Sequence, residues 1–548
     1  MNKHHAMKKS IILVLTLLLI TGQACKQKGT GTQLNCEYLT GGHISASGTR
    51  FIDTFGRQVI FKGINKVNKD QESNYTDADS AETYTRFEQW GFNCVRLGVI
   101  WDGVEPEPGK FDEKYLDKLE KRVNWAAQKG LYVLLDMHQD LYGISSSKGI
   151  KMGDGAPQWA TMTDNQPQVN GNIWSDSYLI SPAVQKAFDH FWANSPASDG
   201  VGIQDHYARM WQHVAKRFAG NKMVLGFDLM NEPFNGTQGK SVLPLILQEY
   251  ARLFAEETGR ILSEKEVMAI WSDEEQRLEA ISRLQNPEKY TRVLNAATEA
   301  NQQFEKGTLQ SMYQRVGDAI RMVDTTHILF LEHGYFGNVG IPSGIEPVKG
   351  RYGKADPRVS YAPHGYDLLV DTKNYDSSSN ARLNVIFTQI HETSRRIQAP
   401  VLVGEWGAFS GSSEALASSA RFISGLFALF GFSNTYWSYY PGIEKDPYFI
   451  SAIITPYPPF IAGELKKYEF NHETGVFSCS WNESPLIKAP TVIYVPDLEN
   501  LNRSSISLKP EGIDPFIQPI ESCKAGYLLI PVTGKSITRT IELKLESK

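Results

Sequence analysis

Eight short apolar runs recur along residues 50–440, and stretches with the spacing of amphipathic helices separate them. One such stretch, residues 112–129, places apolar side chains three and four positions apart. This alternation is typical of βα units, which build a parallel sheet. Eight units suffice to close the sheet into an α/β fold, the (β/α)8 or TIM barrel. The predicted strands are Val59–Asn65, Asn93–Leu97, Leu131–Met137, Val224–Met230, Ile328–Glu332, Arg358–Ala362, Val401–Glu405 and Asn434–Ser438.

The pattern changes after Tyr457-Pro458-Pro459, where short alternating strands replace the helical stretches. Examples are Val476–Trp481, Thr491–Val495 and Tyr527–Val532. Short strands in succession, with no helical periodicity between them, are typical of a β-sandwich. We therefore predict a barrel domain over residues 46–453 and a C-terminal β-sandwich over residues 454–548.

Residues 1–24 carry the features of an export signal, because lysines precede an apolar run, Ile11–Ile20, that is too short to cross a bilayer. The next segment, Thr21-Gly22-Gln23-Ala24-Cys25, has two interpretations. A signal peptidase cleaves after Gly-Gln-Ala, or the segment is a bacterial lipoprotein box and Cys25 is lipidated. We favour the lipoprotein, since residues 25–45 form a polar tether. The protein is then exported and membrane-anchored, in the periplasm or at the cell surface; otherwise it is secreted.

Composition narrows the class of partner. The chain has 56 Lys and Arg against 61 Asp and Glu, a formal charge of −5, and no basic cluster, so nucleic acid is not an expected partner. No His, Cys and carboxylate residues have the spacing of a zinc or calcium site, and neither a metal nor another cofactor is predicted. Cys94 is predicted to be a buried thiol, while Cys479 and Cys523 either pair or are buried separately.

Two of the predicted strands end on a glutamate. Val224–Met230 leads into Asn231-Glu232-Pro233, and Val401–Glu405 ends on Glu405 itself. Since barrel enzymes carry their active sites at the carboxyl ends of the strands, both carboxylates should face one cleft. Two carboxyl groups about 5–5.5 Å apart define a retaining glycosidase. We assign Glu232 as the acid/base, because Asn231 beside it can bind a sugar 2-hydroxyl and burial favours a protonated carboxyl, and Glu405 as the nucleophile.

Other strand ends carry side chains that suit the same chemistry. Arg96 can orient the nucleophile through a charge-assisted hydrogen bond, and Trp437 can stack on a sugar ring. Two long connections, residues 140–205 and 235–310, follow predicted strands and should shape a groove over the site. The predicted substrate-binding set at strand ends is Arg96, His138, Asn231, His364, Tyr366 and Trp437.

These residues, with Glu232 and Glu405, resemble the eight functional positions of glycoside hydrolase family 5, one for one. Several segments are further similar to the endoglycoceramidase subgroup of that family. They are Lys62-Gly63-Ile64-Asn65, Leu135-Asp136-Met137-His138-Gln139-Asp140, Tyr361-Ala362-Pro363-His364-Gly365-Tyr366-Asp367 and the junction at Pro456-Tyr457-Pro458. The resemblance covers nearly the whole mature chain and implies a catalytic barrel followed by a β-sandwich.

The resemblance also implies a substrate, a glycosphingolipid whose bond between glycan and ceramide is hydrolysed, and a role for Lys69 and Asp140 in the −1 or −2 sugar subsite. Thr455 and Trp406 depart from the arginine and phenylalanine common in relatives. A lipid substrate requires an apolar groove, which we expect to pass from the carboxylates along the β-sandwich. The predicted lining is Phe234, Trp406, Phe409, Tyr440, Tyr448 and Phe449.

Other functions stay open at this stage. A family 5 β-glycanase would act on cellulose or mannan, and a β-glucosidase would remove a single sugar from ceramide or a sterol. A third alternative is a non-catalytic surface lipoprotein that binds glycans, but the intact pair of Glu232 and Glu405 argues against it. The expected partners are a glycosphingolipid and a membrane surface, which the lipid anchor and exposed apolar residues within 448–460 would contact. A monomer is expected.

Overall fold

The computed structural model describes residues 36–76, 79–144, 146–147, 150–409, 411, 413–446 and 448–546. The export signal, Cys25 and the first part of the tether lie outside the described residues, so those assignments stay predictions. Within the described ranges, no helix has both the length and the apolar character that a membrane span requires.

The first part of the chain forms short leading strands and then the barrel. All neighbouring barrel strands are parallel. The strands are β1 Ser45–Ser47, β2 Arg50–Ile52, β3 Gln58–Val59, β4 Lys62–Lys66, β5 Cys94–Ile100, β6 Tyr132–His138, β7 Ser146–Ser147, β8 Ile150–Lys151, β9 Val224–Asp228, β10 Ile328–Leu331, β11 Val359–Tyr361, β12 His364–Gly365, β13 Leu402–Val403, β14 Glu405–Trp406 and β15 Ser433–Tyr436.

The barrel sheet has eight strands in the order β11-β10-β9-β6-β5-β4-β15-β13. A parallel bridge between Tyr361 and Val401 joins its two edges, and β12 pairs with β14 through His364 and Glu405. The ring is therefore closed, which confirms the predicted (β/α)8 barrel. The predicted strands are all present, with boundaries shifted by a few residues. Pro363, which has no N–H to donate, separates β11 from β12.

Helices surround the barrel and fill its long connections. In α3, Asp112 caps the first turn by accepting hydrogen bonds from the backbone N–H groups of Lys114 and Tyr115, as its position before the periodic run suggests. The helices are α1 Ala81–Gln89, α2 Trp101–Val104, α3 Glu113–Gln128, α4 Asp176–Ile180, α5 Pro182–Trp192, α6 Ile203–Phe218, α7 Val242–Thr258, α8 Glu264–Ser272, α9 Glu274–Arg283, α10 Pro287–Asn295, α11 Thr298–Phe304, α12 Gln310–Arg321, α13 Asn380–Ile397 and α14 Glu414–Phe430.

The C-terminal strands form two antiparallel sheets that face one another across a core containing Trp481 and Leu528. These strands are β16 Tyr457–Ile461, β17 Gly463–Asn471, β18 Val476–Glu483, β19 Thr491–Val495, β20 Leu501–Lys509, β21 Phe516–Pro519, β22 Gly526–Ile530 and β23 Ile537–Leu545. One sheet has the order β17-β18-β23-β20, and the other has the order β1-β2-β3-β16-β19-β22-β21. The sandwich therefore includes β1–β3 from the start of the chain, which the sequence analysis did not anticipate.

The outer face of the seven-stranded sheet packs against the barrel. Phe460, Val492 and Leu529 share a buried cluster with Phe61 and Tyr132, which lie at or beside the amino ends of barrel strands. The sandwich thus covers the amino end of the barrel, opposite the strand ends that carry Glu232 and Glu405. The expectation that a groove would pass from the carboxylates along the sandwich is wrong, because the two lie at opposite ends.

Cys94, Cys479 and Cys523 are free thiols. Cys94 and Cys479 are buried, and Cys523 is half-buried. Burial raises the pKa of both the Cys94 and the Cys479 thiol. Of the two alternatives for Cys479 and Cys523, the structure supports separate thiols rather than a disulfide.

Lys62 is a buried cation at the junction of the two domains. Its Nζ donates to Thr455 Oγ1 at 2.9 Å and lies 5.4 Å from the centre of the Tyr457 ring. Among the described residues, no carboxylate forms a salt bridge with it. Burial lowers the pKa of Lys62 to about 7, because the charged amine loses its hydration without gaining an anion.

Lys62→Met is expected to stabilise the protein, and the gain should depend on pH. The pKa of Lys62 is about 7 when folded against an ordinary value of 10.5, so the unfolded state binds more protons between these limits. Wild-type stability therefore rises through that window, and the full penalty, about 3–5 kcal/mol, applies below pH 7. Urea unfolding of both proteins at pH 6 and pH 9 measures the difference. A gain of the same size at both pH values would contradict the lowered pKa of Lys62.

Candidate active site

Glu232 follows β9 and Glu405 begins β14, so the barrel brings both to its carboxyl end. Both are nearly enclosed, with 6% and 5% of their surfaces exposed. The His364 ring lies between them: its Nδ1 is 2.9 Å from Glu232 Oε1 and 3.6 Å from Glu405 Oε2. One oxygen of each carboxyl group lies within 4.8 Å of the other. This separation suits direct attack by one carboxylate and is shorter than the roughly 6.5–9.5 Å between the carboxyl groups of an inverting enzyme.

Two donors hold the Glu405 carboxylate, one on each oxygen. Arg96 Nη1 donates to Oε1 at 2.7 Å, and the Tyr366 hydroxyl donates to Oε2 at 3.0 Å. Arg96 is fully buried at the centre of the barrel, where its remaining N–H groups are also satisfied. Its other acceptors are Asn65 Oδ1, Asp136 Oδ1, Asp228 Oδ2, Asn231 Oδ1 and Glu332 Oε1, at 2.8–3.1 Å.

The site contains more carboxyl groups than cations. Burial would lower the pKa of His364, but the carboxylates of Glu332 and Glu405 raise it well above its ordinary value, so the ring is a second cation beside Arg96. Burial, with Glu332 nearby, also raises the pKa of Asp228 well above its ordinary value. A protonated Asp228 relieves part of the excess negative charge that the barrel centre would otherwise hold.

A sugar pocket lies beside the carboxylates. The His138 Nδ1 lies 2.8 Å from Asp136 Oδ2, and the ring stacks on Trp437 with centroids 5.3 Å apart. Burial and the Lys69 cation lower the pKa of His138 to about 3, so the neutral ring donates through Nδ1 and offers Nε2 as an acceptor. Lys69 forms a salt bridge with Asp140 and lies 4.7 Å from the centre of the Trp437 ring. The pocket thus combines an aromatic face with hydrogen-bonding groups.

The structure brings all ten predicted site residues together. Asn231 is held at both ends of its side chain, since Oδ1 accepts from Arg96 Nη2 at 3.0 Å and Nδ2 donates to the Gln139 carbonyl at 3.0 Å. Arg96, Asn231 and His364 lie behind the cavity wall. The residues that line the cavity itself are Lys69, His138, Asp140, Glu232, Tyr366, Glu405 and Trp437.

Three clusters have the side-chain types that bind metal ions, and a protein cation lies at each. Arg96 binds all of Asp136, Asp228 and Glu332. In the group Glu232, His364 and Glu405, the histidine is itself protonated. The third group is His138, Asp140 and Asp154, and there Lys69 is bonded to Asp140. Each cluster therefore has a protein cation to balance its carboxylates, and we assign no metal ligand.

The cavity continues from the sugar pocket into an apolar compartment. The whole cavity, sugar pocket included, has a volume of about 320 Å³, and most of the apolar lining comes from helices of the connection that follows Glu232. The apolar lining residues are Ile173, Trp174, Leu179, Leu243, Ile246, Leu247, Tyr250, Ile270, Ala280, Ile281, Leu284, Val293, Leu294, Phe336, Val339, Leu368 and Val370. The two long connections, as predicted, shape the space above the carboxylates.

The predicted lining of this groove is wrong. Five of the six aromatic side chains are buried in packed cores, because side chains that follow strand ends here turn into the barrel wall. The sixth, Tyr440, is partly exposed but does not line the cavity. The five buried residues are Phe234, Trp406, Phe409, Tyr448 and Phe449. Within residues 448–460, Tyr457 and Phe460 are buried as well, whereas Ile450 is exposed, so the expected membrane contact of this segment stays a prediction.

Three functional residues escaped the sequence analysis. Asp228 and Glu332 are charged residues at the ends of apolar runs. That position could have identified them, because a buried carboxylate requires partners. Asn338 donates from Nδ2 to Glu232 Oε1 at 2.7 Å. It lies in a short 3-10 helix, Tyr335–Val339, after β10, where no long periodic pattern marks an inward-facing side chain.

A carboxylate pair at the ends of the fourth and seventh barrel strands, β9 and β13, with a sugar pocket beside it, defines a retaining glycosidase on a (β/α)8 barrel. Residues 52–442 match the family model for cellulase (glycosyl hydrolase family 5). Residues 456–519 match the model for the glycoside hydrolase family 5 C-terminal domain. The chain belongs to glycoside hydrolase family 5.

Relatives extend the similarity over both domains. Endoglycoceramidase I of Rhodococcus hoagii (strain 103S) is 26% identical over 476 residues, which are 83% of this chain and 80% of that protein. The structure of endo-glycoceramidase II from Rhodococcus sp. as a lactosyl-enzyme intermediate has a TM-score of 0.68 and 27% identity, and covers 90% of this chain and 99% of that one. Its ganglioside GM3 complex has a TM-score of 0.68 and 26% identity, with coverage of 91% and 100%.

Proposed function

We propose that the enzyme hydrolyses the β-glycosidic bond between the glycan and the ceramide of a glycosphingolipid, with retention of configuration. The observation that carries this proposal is the apolar compartment that adjoins Glu232 and Glu405. A polysaccharide hydrolase needs sugar-binding groups on both sides of the scissile bond. Here the strand ends supply Lys69, His138, Asp140 and Trp437, and the helices of the connection after Glu232 supply mainly apolar side chains. The similarity to endoglycoceramidases over both domains also supports a lipid aglycone.

The contacts assign a role to each catalytic group. Arg96 and Tyr366 hold the Glu405 carboxylate for attack on the anomeric carbon. As the bond between that carbon and the ceramide oxygen breaks, Glu232 donates its proton to the departing oxygen, and ceramide leaves as an alcohol. Glu232 then takes a proton from water, whose oxygen attacks the same carbon and breaks its bond to Glu405. The free glycan is released, and both carboxyl groups return to their starting states.

The test compares a lipid substrate with a soluble one. Wild-type enzyme is expected to release intact lactose from detergent-solubilised lactosylceramide, detected by mass spectrometry. Ile246→Asp places a carboxyl group in the apolar wall, and we expect kcat/KM for lactosylceramide to fall about 10- to 100-fold because apolar chains then contact a polar group. Lactosyl fluoride has no lipid portion, so its kcat/KM should stay unchanged.

Ile261→Asp is the matched control. Ile261 belongs to the same connection but is 85% exposed and does not line the cavity. This variant should match the wild type on both substrates. Activity on a soluble β-glucan with none on lactosylceramide would overturn the proposal in favour of a β-glycanase. Release of single glucose or galactose units would instead indicate a β-glycosidase, and no turnover of any glycoside would indicate a glycan-binding protein.

A further inference from the structure

The two oxygens of the Glu232 carboxyl group have different surroundings. Oε1 is close to two nitrogen atoms, His364 Nδ1 at 2.9 Å and Asn338 Nδ2 at 2.7 Å. Oε2 has no hydrogen-bond donor among the residues that the structure describes, and Glu232 lines the cavity. An acid/base has to hold its transferable proton on the oxygen that meets the substrate, so this asymmetry bears directly on the reaction.

The orientation of the Asn338 amide follows from its neighbours. The His364 cation donates from Nδ1 to Glu232 Oε1, so that oxygen is an acceptor, and the Asn338 atom 2.7 Å from it is the donor Nδ2. Asn338 Oδ1 then lies 3.0 Å from His333 Nε2, which the His364 backbone N–H also approaches at 3.3 Å. Burial and the His364 cation lower the pKa of His333 to about 3, so the ring is neutral. His333 Nδ1 lies 2.9 Å from the Tyr361 hydroxyl, so the ring behind Asn338 is held on both of its nitrogens.

The loop that carries Asn338 is fixed on both sides of the site. The Asn338 carbonyl accepts from the Tyr366 N–H at 3.0 Å, and Tyr366 in turn binds the nucleophile. Glu305 accepts from the Gly334 N–H at 2.8 Å and from the Ser343 hydroxyl at 3.0 Å, so it holds the residues on both sides of Asn338 together.

Glu332, where the same loop begins, holds the backbone of the acid/base. Glu232 has a φ of +43°, in the left-handed region that non-glycine residues rarely adopt. Its N–H donates to Glu332 Oε2 at 2.8 Å. A conformation of this kind persists where the surroundings determine it, and it directs the Glu232 side chain toward His364 and Asn338.

We propose that Asn338 is a positioning residue for the acid/base, which with His364 occupies Glu232 Oε1 and thereby assigns the transferable proton to Oε2. The proton leaves Oε2 for the glycosidic oxygen as the bond to the anomeric carbon breaks. The carboxylate that remains keeps two N–H donors on Oε1. In the second step Oε2 takes the proton of the attacking water. This inference rests on the retaining mechanism and not on the ceramide proposal.

The test measures how the rate depends on the leaving group. Asn338→Leu keeps the shape of the side chain and removes the donor, and it is assayed on β-lactosides with alkyl, nitrophenyl and dinitrophenyl leaving groups. We expect kcat/KM for the alkyl lactoside to fall about 10- to 100-fold, since a hydrogen bond to a charged group is lost. The dinitrophenyl lactoside needs no proton, so its kcat/KM should stay within about threefold.

Two further variants make the result decisive. Asn338→Ala should show the same dependence on the leaving group, so the test can still be made if one of the two Asn338 variants does not fold. Asn235→Leu is the control, because Asn235 is equally buried near Glu232 but its side chain has no hydrogen-bond partner among the described residues. It should show no dependence on the leaving group. Equal losses on all three lactosides, or no loss on any, would overturn the proposed role of Asn338.

Discussion

Glu405→Gln is expected to lower kcat about 10⁵-fold on every substrate, whatever its leaving group. The Glu405 carboxylate forms the bond to the anomeric carbon, and an amide of the same shape is a poor nucleophile. Arg96 and Tyr366 would still hold the side chain, so the loss reports chemistry rather than a displaced residue. Stopped assays with lactosyl fluoride measure it, because that substrate avoids any limit set by lipid binding.

Glu105→Gln serves as the control for this variant. Glu105 is also fully buried and accepts from the Trp101 indole at 2.9 Å and the Gly109 N–H at 2.8 Å, but it lies outside the site. It should lower the melting temperature and leave kcat within about threefold, since only structural contacts are lost. A Glu405→Gln enzyme with kcat near that of the wild type would refute the nucleophile assignment.

Glu232→Ala is expected to lower kcat/KM about 10²- to 10⁴-fold for lactosylceramide and alkyl lactosides, which need a proton on the leaving oxygen. The dinitrophenyl lactoside should still form the glycosyl-enzyme rapidly. Its hydrolysis should be slow, because no base remains to activate water. Mass spectrometry should therefore detect an enzyme whose mass has increased by one lactosyl group.

Azide separates the two roles by stereochemistry. With Glu232→Ala, azide attacks the glycosyl-enzyme without needing a base, so the product is β-lactosyl azide and the rate recovers. With Glu405→Ala, azide fills the space of the lost carboxylate and attacks the substrate itself, so the product is the α anomer. If the anomers were exchanged between the two variants, Glu232 and Glu405 would have each other's roles.

Much of this fold could be predicted because its strands are buried on both faces. Their side chains are then continuously apolar, and a polar residue marks the strand end, as Asn231 and His138 do. Closure of the barrel places those ends in one ring, so chemically related side chains far apart in sequence meet. Eight of the site residues were identified on that basis, and Lys69 and Asp140 through the family resemblance. The structure brings all ten together.

The parts that could not be predicted lie where no periodicity operates. Asn338 faces Glu232 because Glu305 and Tyr366 hold the short segment that contains its 3-10 helix, and neither contact leaves a local pattern. The apolar compartment depends on how α7, α9 and α10 pack over the barrel. Aromatic residues beside strand ends, such as Phe234, look similar in sequence whether they face a cavity or the core. Whether such a side chain faces the cavity or the core depends on neighbours that are distant in the chain.

The seven-stranded sheet joins the strands before the barrel to the strands after it, because β3 pairs with β16. About four hundred residues of chain therefore separate the strands β1–β3 from the neighbour of their open edge. A ribosome makes these segments one after the other, so the amino end of the barrel stays uncovered until β16 has been made. The barrel ring itself can close before then, through β15 and β4, and only its cover has to wait.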